Sequence, residues 1–209
     1  MFQISNISKS YGKKNILNNI SLTAMPKEAI GILGVNGSGK STLLSCIAKS
    51  SSNNSDFKIG YVPQENPLFD ELKPVDNIKM WCSKSKKEIL EALSSQPLCY
   101  LGITDYLDTP VSKMSGGMKK KLSIACTLIN KPGVLLMDEP FAALDLTTKH
   151  DILSYMTNYL EQGNIIIIAS HDEEIFNFCS RVFLLKNGQL TDTSILKEKN
   201  ISYIDMLRD

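Results

Sequence analysis

A glycine-rich segment between an apolar run and a helical run constrains the fold of this chain more than any other feature. Residues 34–41 read GVNGSGKS and match the pattern G-x-x-x-x-G-K-[ST] at every position. Residues 29–33 before the segment predict a buried strand, and residues 41–48 after it predict a helix. Glycines allow backbone N–H groups to point inward at an anion, and a helix N-terminus adds positive potential. The arrangement therefore predicts a phosphate-binding loop that opens an α/β unit.

Two side chains of the segment add chemistry to this loop. Lys40 would place its charge on the β- and γ-phosphates of a nucleotide, and the Ser41 hydroxyl can bind Mg²⁺. The alternative is a glycine-rich turn without a ligand, which the strand before it and the helix after it make the weaker interpretation. The residues that we expect at the nucleotide are Gly34, Asn36, Gly37, Ser38, Gly39, Lys40, Ser41 and Thr42.

A pair of acidic residues follows a second apolar strand. Residues 134–137 predict the strand, and Asp138 and Glu139 come directly after it. Such a pair is common after apolar strands, so the pair taken alone indicates a structural role as strongly as a catalytic one. Together with the phosphate loop, the pair predicts that Asp138 binds the metal, directly or through water, and that Glu139 polarises the attacking water.

The composition excludes several kinds of protein. The 209 residues carry a net charge of +1, which gives no bulk electrostatic reason to bind nucleic acid or an anionic bilayer. Five cysteines, without C-x-x-C spacing, argue against a disulfide framework or a zinc site and favour a reducing compartment. The most apolar run, residues 165–169, is far shorter than the ~20 residues that span a bilayer. We expect a soluble chain, so that another chain would have to cross any membrane.

The hydrophobic pattern predicts an α/β core. Continuous apolar strands at 29–33, 134–137 and 165–168, each followed by a polar loop, suit a mostly parallel sheet that is covered on both faces. Residues 181–191 predict a terminal hairpin that turns at Asn187-Gly188.

The middle of the chain has a different pattern. It lacks a long β-branched run, and Ser85 with Glu88 fits the capping box of a helix. We therefore expect a catalytic core formed by residues 1–64 and 115–209, interrupted by a helical insertion subdomain at residues 65–114.

The order of short motifs along nearly the whole chain resembles that of ATP-binding cassette (ABC) ATPases. Residues 114–122 read MSGGMKKKL and resemble the family's signature motif, which lies upstream of the Asp-Glu pair as it does here. Each short motif is weak alone, whereas several in order around a complete phosphate loop are specific. The other matches are Tyr11 with the aromatic residue that stacks on adenine, Gln64 with the Q-loop glutamine, Asp145 with the D-loop aspartate and His171 with the switch histidine.

The resemblance implies a dimer that binds ATP. Ser115 and Gly117, with Gly116 between them, would hold the γ-phosphate of an ATP molecule bound to the opposite subunit. Two chains, as a homodimer or a heterodimer, would then enclose ATP head to tail at both sites. Asp145 would act at the interface between the subunits.

The resemblance also implies roles inside each site, with ATP and Mg²⁺ as cofactors. Gln64 would contact Mg²⁺ or the attacking water and report to the membrane partner. His171 would bond the γ-phosphate and orient the water near Glu139. Glu139, His171 and Lys40 would therefore be the catalytic residues, and the metal would lie at Ser41, Gln64 and Asp138.

A transport function follows from the same resemblance. The chain would be the ATP-hydrolysing subunit that drives a separate transmembrane permease from the cytoplasmic face of the membrane, through the groove near Gln64 and the helical insertion. Met118 stands where the family commonly has Gln, and similar signatures occur in ABC ATPases paired with ABC-2-type exporter permeases, which favours export. Only a short stretch separates Lys40 from Gln64, so we expect a P-loop NTPase fold with a reduced antiparallel β edge.

Other function classes remain open at this point. A soluble ABC ATPase that acts on ribosomes or nucleic acid would be expected to have two cassettes in tandem or a cassette with long coiled coils. This chain has one cassette, no sustained heptads and no surplus of basic residues. We therefore expect no nucleic-acid partner. Three lysines at 119–121 begin a helix with an apolar opposite face, which favours a solvated stripe. A small P-loop kinase would explain Lys40 and Ser41 but not residues 115–117. A regulatory module that binds nucleotide without hydrolysis would not need Glu139.

Overall fold

The computed structural model describes residues 1–50, 57–171 and 173–193, which contain eight strands. In chain order they are β1 (Phe2–Tyr11), β2 (Lys14–Ala24), β3 (Ala29–Leu33), β4 (Ile59–Val62), β5 (Val134–Asp138), β6 (Ile165–Ser170), β7 (Arg181–Lys186) and β8 (Gln189–Asp192). Six of them form one sheet in the order β4-β5-β6-β3-β7-β8, parallel throughout except for the antiparallel β7–β8 pair. The mostly parallel core sheet and the terminal hairpin are thereby confirmed.

A second, two-stranded antiparallel sheet is formed by β1 and β2. Its register shifts between Ile4 and Ile7 and again before Lys9, and Asn6 and Asn19 have positive φ angles of 58° and 51°. Within the described ranges, antiparallel pairing occurs in this sheet and in the β7–β8 hairpin. The reduced antiparallel edge that we predict is therefore what the structure shows.

Helices cover both faces of the main sheet. They are α1 (Lys40–Ser50), α2 (Pro74–Lys79), α3 (Lys86–Leu93), α4 (Gly116–Leu128), α5 (Leu146–Glu161) and α6 (Glu173–Phe178). Leu136 of β5 shares an apolar cluster with Leu43 of α1, whereas its neighbour Leu135 shares another with Leu122 of α4 and Ile152 of α5. Every residue of β5 and β6 is buried, because side chains alternate between two covered faces. No helix in the described part of the chain has the length and apolar character needed to cross a membrane.

Between β4 and α4 the chain is helical. α2 and α3 are followed by short 3₁₀ segments at Leu98–Leu101, Ile103–Tyr106 and Val111–Lys113. The capping box at the start of α3 is confirmed, since the Ser85 hydroxyl accepts a bond from the Glu88 N–H, and the Glu88 carboxylate accepts one from the Ser85 N–H.

This helical segment shares one continuous apolar cluster with the sheet, to which it contributes Ile78, Ile89 and Leu101. The division into a core of 1–64 and 115–209 and a subdomain of 65–114 therefore stays a prediction. The loop that we predict from the serine- and asparagine-rich residues 50–55 lies almost wholly outside the described residues.

Gly31 lies at the centre of β3, where an added methyl group has no room. An ideal Cβ would lie 2.8 Å from Cδ1 of Phe176 and 3.2 Å from Sγ of Cys179. Overpacking of this kind costs about 1–3 kcal/mol, so Gly31→Ala should lower the free energy of unfolding by that amount in urea titrations followed by circular dichroism. Gly116→Ala is the matched control, because nothing lies within 4 Å of a Cβ there. Equal losses in both variants would contradict the packing argument.

Candidate nucleotide-binding site

The predicted phosphate loop connects the carboxyl end of β3 to the start of α1. Gly37 and Gly39 have positive φ angles of 80° and 105°, which glycine adopts readily. A Cβ on Gly39 would also lie 2.8 Å from Cγ2 of Ile16, so β2 leaves no room for a side chain there. The Ser38 hydroxyl is buried without a hydrogen-bond partner among the described residues. An anion in the loop would supply that partner.

Lys40 closes the loop on its inner side. The residue is buried, with 6% of its surface exposed. Its ammonium donates to the carbonyl of Gly34 at 2.7 Å and to that of Val35 at 3.4 Å, and it lies 3.6 Å from Oε1 of Glu139. A buried cation that is held by carbonyls and one carboxylate can exchange these partners for phosphate oxygens.

Glu139 follows β5 directly and is held from both sides. Its Oε2 accepts a bond from the Ser170 hydroxyl at 3.1 Å, and its Oε1 lies 3.0 Å from Nδ1 of His171. Glu139 has a positive φ of 44°, and its N–H donates to the carbonyl of Ala169 at 2.8 Å. The structure therefore pairs the two residues that the resemblance places at the attacking water.

Asp138 ends β5 and is almost completely buried. Its Oδ2 accepts a bond from the Tyr61 hydroxyl at 3.5 Å, while its Oδ1 has no partner within the described residues. Burial raises the pKa of the Asp138 carboxyl, the nearby Ser41 hydroxyl acts in the opposite direction, and the charge of Glu139 raises it further. A buried carboxylate with an orphaned oxygen beside a hydroxyl fits Mg²⁺, which prefers oxygen ligands.

An open cleft of about 490 Å³ joins these groups, a size typical of small-molecule sites. Tyr11 lies at its edge and is 60% exposed, with its ring centroid 5.3 Å from the Lys9 ammonium. Apart from Ile16, every lining residue is one that the sequence predicts for the site. The cleft is lined by Tyr11, Ile16, Asn36, Gly37, Gly39, Lys40, Ser41, Thr42, Gln64, Glu139 and His171.

The serine–glycine segment forms a separate surface and does not line this cleft. Ser115 caps α4, because its hydroxyl accepts a bond from the Met118 N–H at 3.2 Å. Gly116 is exposed, with open space around it. Gly117 is buried, and a Cβ there would lie 2.6 Å from Oγ1 of Thr148.

Asp145 belongs to the same surface as residues 115–117. Its carboxylate accepts bonds from the N–H and the hydroxyl of Thr148, both at 2.8 Å, and so caps α5. These hydrogen bonds lower the pKa of Asp145. Because Thr148 also packs on Gly117, the N-termini of α4 and α5 are locked together. The sequence gives no signal for Thr148, since its role arises only from this contact.

The prediction that the lysines at 119–121 form a solvent-exposed stripe is wrong for the middle residue, Lys120. Lys120 is 4% exposed, and its ammonium donates to the carbonyls of Pro63 at 3.0 Å and Gln64 at 3.1 Å. Lys119 and Lys121 are partly exposed, with 29% and 14% of their side chains accessible, and they pair with Asp70 and Asp151. The helix face that carries Lys120 is covered by the segment after β4, a long-range contact that a charge pattern does not reveal.

Comparison with known proteins gives a consistent result. The sequence model that describes ABC transporters matches residues 17–142, more than half of the chain. Linearmycin resistance ATP-binding protein LnrL of Bacillus subtilis is 33% identical over 91% of this chain and 68% of the relative. Glutamine transport ATP-binding protein GlnQ of Escherichia coli is 30% identical, with 92% and 90% covered. Nod factor export ATP-binding protein I of Sinorhizobium fredii is also 30% identical, with 90% and 60% covered.

A solved structure agrees with these sequence relatives. The dimeric bacterial ABC transporter cassette MJ0796 superimposes with a TM-score of 0.77 and 25% identity, and the match covers 91% of this chain and 96% of that one. A P-loop kinase is thereby excluded. The chain belongs to the ABC transporter family and is an ATP-binding cassette ATPase.

Proposed function

We propose that this chain is the nucleotide-binding subunit of an ABC transporter, and that two cassettes, identical or different, enclose ATP head to tail. The observation that carries the proposal is the division of the predicted site residues between two surfaces. Lys40 and Glu139 line the cleft, whereas residues 115–117 lie at the N-terminus of α4 and do not line it. A second cassette would bring that exposed N-terminus to the nucleotide. The dimeric form of the MJ0796 cassette supports this arrangement.

ATP would bind with its phosphates in the loop. Backbone N–H groups of residues 34–41 and the N-terminus of α1 would surround the phosphates. Lys40 would exchange the Gly34 carbonyl and the Glu139 carboxylate for phosphate oxygens. The exposed ring of Tyr11 at the edge of the cleft would stack on the adenine base.

Three side chains would hold Mg²⁺ at the inner end of the cleft, namely Ser41, Asp138 and Gln64. The orphaned Oδ1 of Asp138 supports this assignment, because a bound cation would satisfy it. When bound, the ion offsets negative charge on the phosphate oxygens.

Glu139 would act as the base in hydrolysis. Its carboxylate is fixed by Ser170 and His171, so it can orient a water in line with the γ-phosphorus. As the water oxygen bonds to that phosphorus, a proton passes to Glu139, and the bond to the β–γ bridging oxygen breaks to release ADP. His171, 59% exposed at its side chain, would bond the γ-phosphate. The N-terminus of α4 from the second cassette would stabilise the developing charge.

An apolar groove, lined by residues that precede and follow Gln64 in the chain, would receive a transmembrane permease. The groove of about 230 Å³ lies between β4 and the C-terminal half of α4, with Tyr61, Leu68 and Trp81 among its lining residues. Trp81 is 47% exposed and its neighbour Met80 is 60% exposed. Docking of a permease helix here would cover these side chains and hold the chain on the cytoplasmic face of the membrane.

Export is the direction that we propose. Met118 in the signature segment supports it, as does the name of the Nod factor export relative. The name of another relative, the glutamine transport protein GlnQ, does not specify export. The direction would be decided by the permease, since the cassette supplies only the ATP-driven closure.

The variant Glu139→Gln tests the dimer and the base together. It should bind ATP with Mg²⁺, hydrolyse it at least ~100-fold more slowly because the proton acceptor is lost, and accumulate as a dimer in gel filtration. The same variant with ADP is the control and should remain monomeric. An ATP-loaded variant that stays monomeric and hydrolyses at the wild-type rate would refute the proposal.

The variant Lys40→Ala tests the phosphate loop. Loss of a charge-assisted bond to phosphate should weaken ATP binding by about tenfold to a hundredfold in calorimetric titration. Lys87→Ala serves as the control, because the Lys87 side chain is 86% exposed on α3. An unchanged affinity of Lys40→Ala for ATP would show that the loop does not bind the phosphates.

A further inference from the structure

Lys120 is the one residue of the lysine triplet that faces inward. It lies in the second turn of α4, close behind the serine–glycine segment, and its ammonium bonds two successive carbonyls, those of Pro63 and Gln64. Its neighbours point elsewhere, since Lys119 pairs with Asp70 at 3.1 Å. The Lys120 side chain therefore connects the second turn of α4 to the backbone at Gln64.

The burial of this ammonium is unfavourable in itself. The free-energy cost of removing a charge from water must be offset by close hydrogen-bond partners, and here these partners are the two carbonyls. Burial lowers the pKa of Lys120 to about 8, while the negative charges of Asp138 and Glu139 oppose the shift. An apolar side chain of similar length would fill the same space without this cost, so packing alone does not account for a lysine.

We propose that Lys120 is a positioning residue that fixes the Gln64 segment to the helix carrying residues 115–117. The inference rests on the dimer proposed above. Through Lys120, the placement of Gln64 in its own nucleotide site and the presentation of the serine–glycine segment to the other cassette's nucleotide change together. A permease bound in the groove lined by Tyr61 and Leu68 would thereby influence both nucleotide sites.

The two carbonyl oxygens that Lys120 bonds, those of Pro63 and Gln64, indicate which step of the reaction should depend on Lys120. The ammonium holds backbone carbonyls of the Gln64 segment, and Gln64 lines the cleft. Lys120 itself does not line that cleft, whereas the phosphate loop does. Its removal should therefore disturb hydrolysis and dimer closure while leaving the binding of ATP by the monomer nearly unchanged.

Lys120→Met is the test variant and Lys87→Met is its control, because the control removes the same charge from a side chain that is 86% exposed on α3. Lys120→Met should lower kcat by about tenfold or more, as expected for two lost charge-assisted bonds, and leave the Kd of the monomer for ATP within about threefold in calorimetric titration. In a Glu139→Gln background it should raise the ATP concentration needed for dimer formation by about tenfold. Lys120→Arg, which keeps a cationic donor, should restore most of both, and Lys87→Met should resemble wild type.

Two outcomes would overturn the role of Lys120. One is wild-type kcat and dimer formation in Lys120→Met, and the other is an equal loss in Lys87→Met. If Lys120→Met does not fold, as judged by circular dichroism and ATP titration, Lys120→Gln replaces it under the same criteria. Failure of Glu139→Gln alone to dimerise with ATP would instead count against the proposed dimer, so the two failures are distinguishable.

Discussion

The parallel register of β3, β5 and β6 is the constraint on which the candidate site depends. Leu33 pairs with Ser170, and Asp138 pairs with Ala169, so the three strands end at the same edge of the sheet. The phosphate loop, Glu139 and His171 each begin one residue beyond that edge. Residues more than a hundred positions apart therefore meet without a long loop, and the buried apolar strands hold them in place.

A second constraint keeps the serine–glycine segment apart from that edge. The carboxylate of Asp145, the hydroxyl of Thr148 and the close approach of Gly117 lock the N-termini of α4 and α5 to each other. In the account proposed here, each chain thus carries one complete cleft and one donor surface, which serve different nucleotides. Lys120 would connect the two surfaces inside the chain, while the second cassette would connect them between chains.

The parts of the fold with strong local signals could be predicted from the sequence. Continuous apolar runs identify β3, β5 and β6, and the complete phosphate-loop pattern locates the start of α1. The bulges around Asn6 and Asn19 break the alternation of apolar and polar residues along β1 and β2. For this reason the hydrophobic pattern does not predict these two strands. The burial of Lys120, like the partnership of Ser170 with Glu139, depends on contacts between distant segments, which charge and hydrophobic patterns do not encode.

Complementation between two inactive variants tests most directly whether two chains share each nucleotide. Lys40→Ala disables the loop, and Gly116→Asp would place a carboxylate at the donor surface, where open space tolerates it within the chain. A mixed dimer would have one site built from the two intact halves. The account predicts that mixing the inactive variants restores ATP hydrolysis, to about a quarter of the wild-type rate for random pairing. Activity that never exceeds the sum of the separate variants, at any mixing ratio, would contradict it.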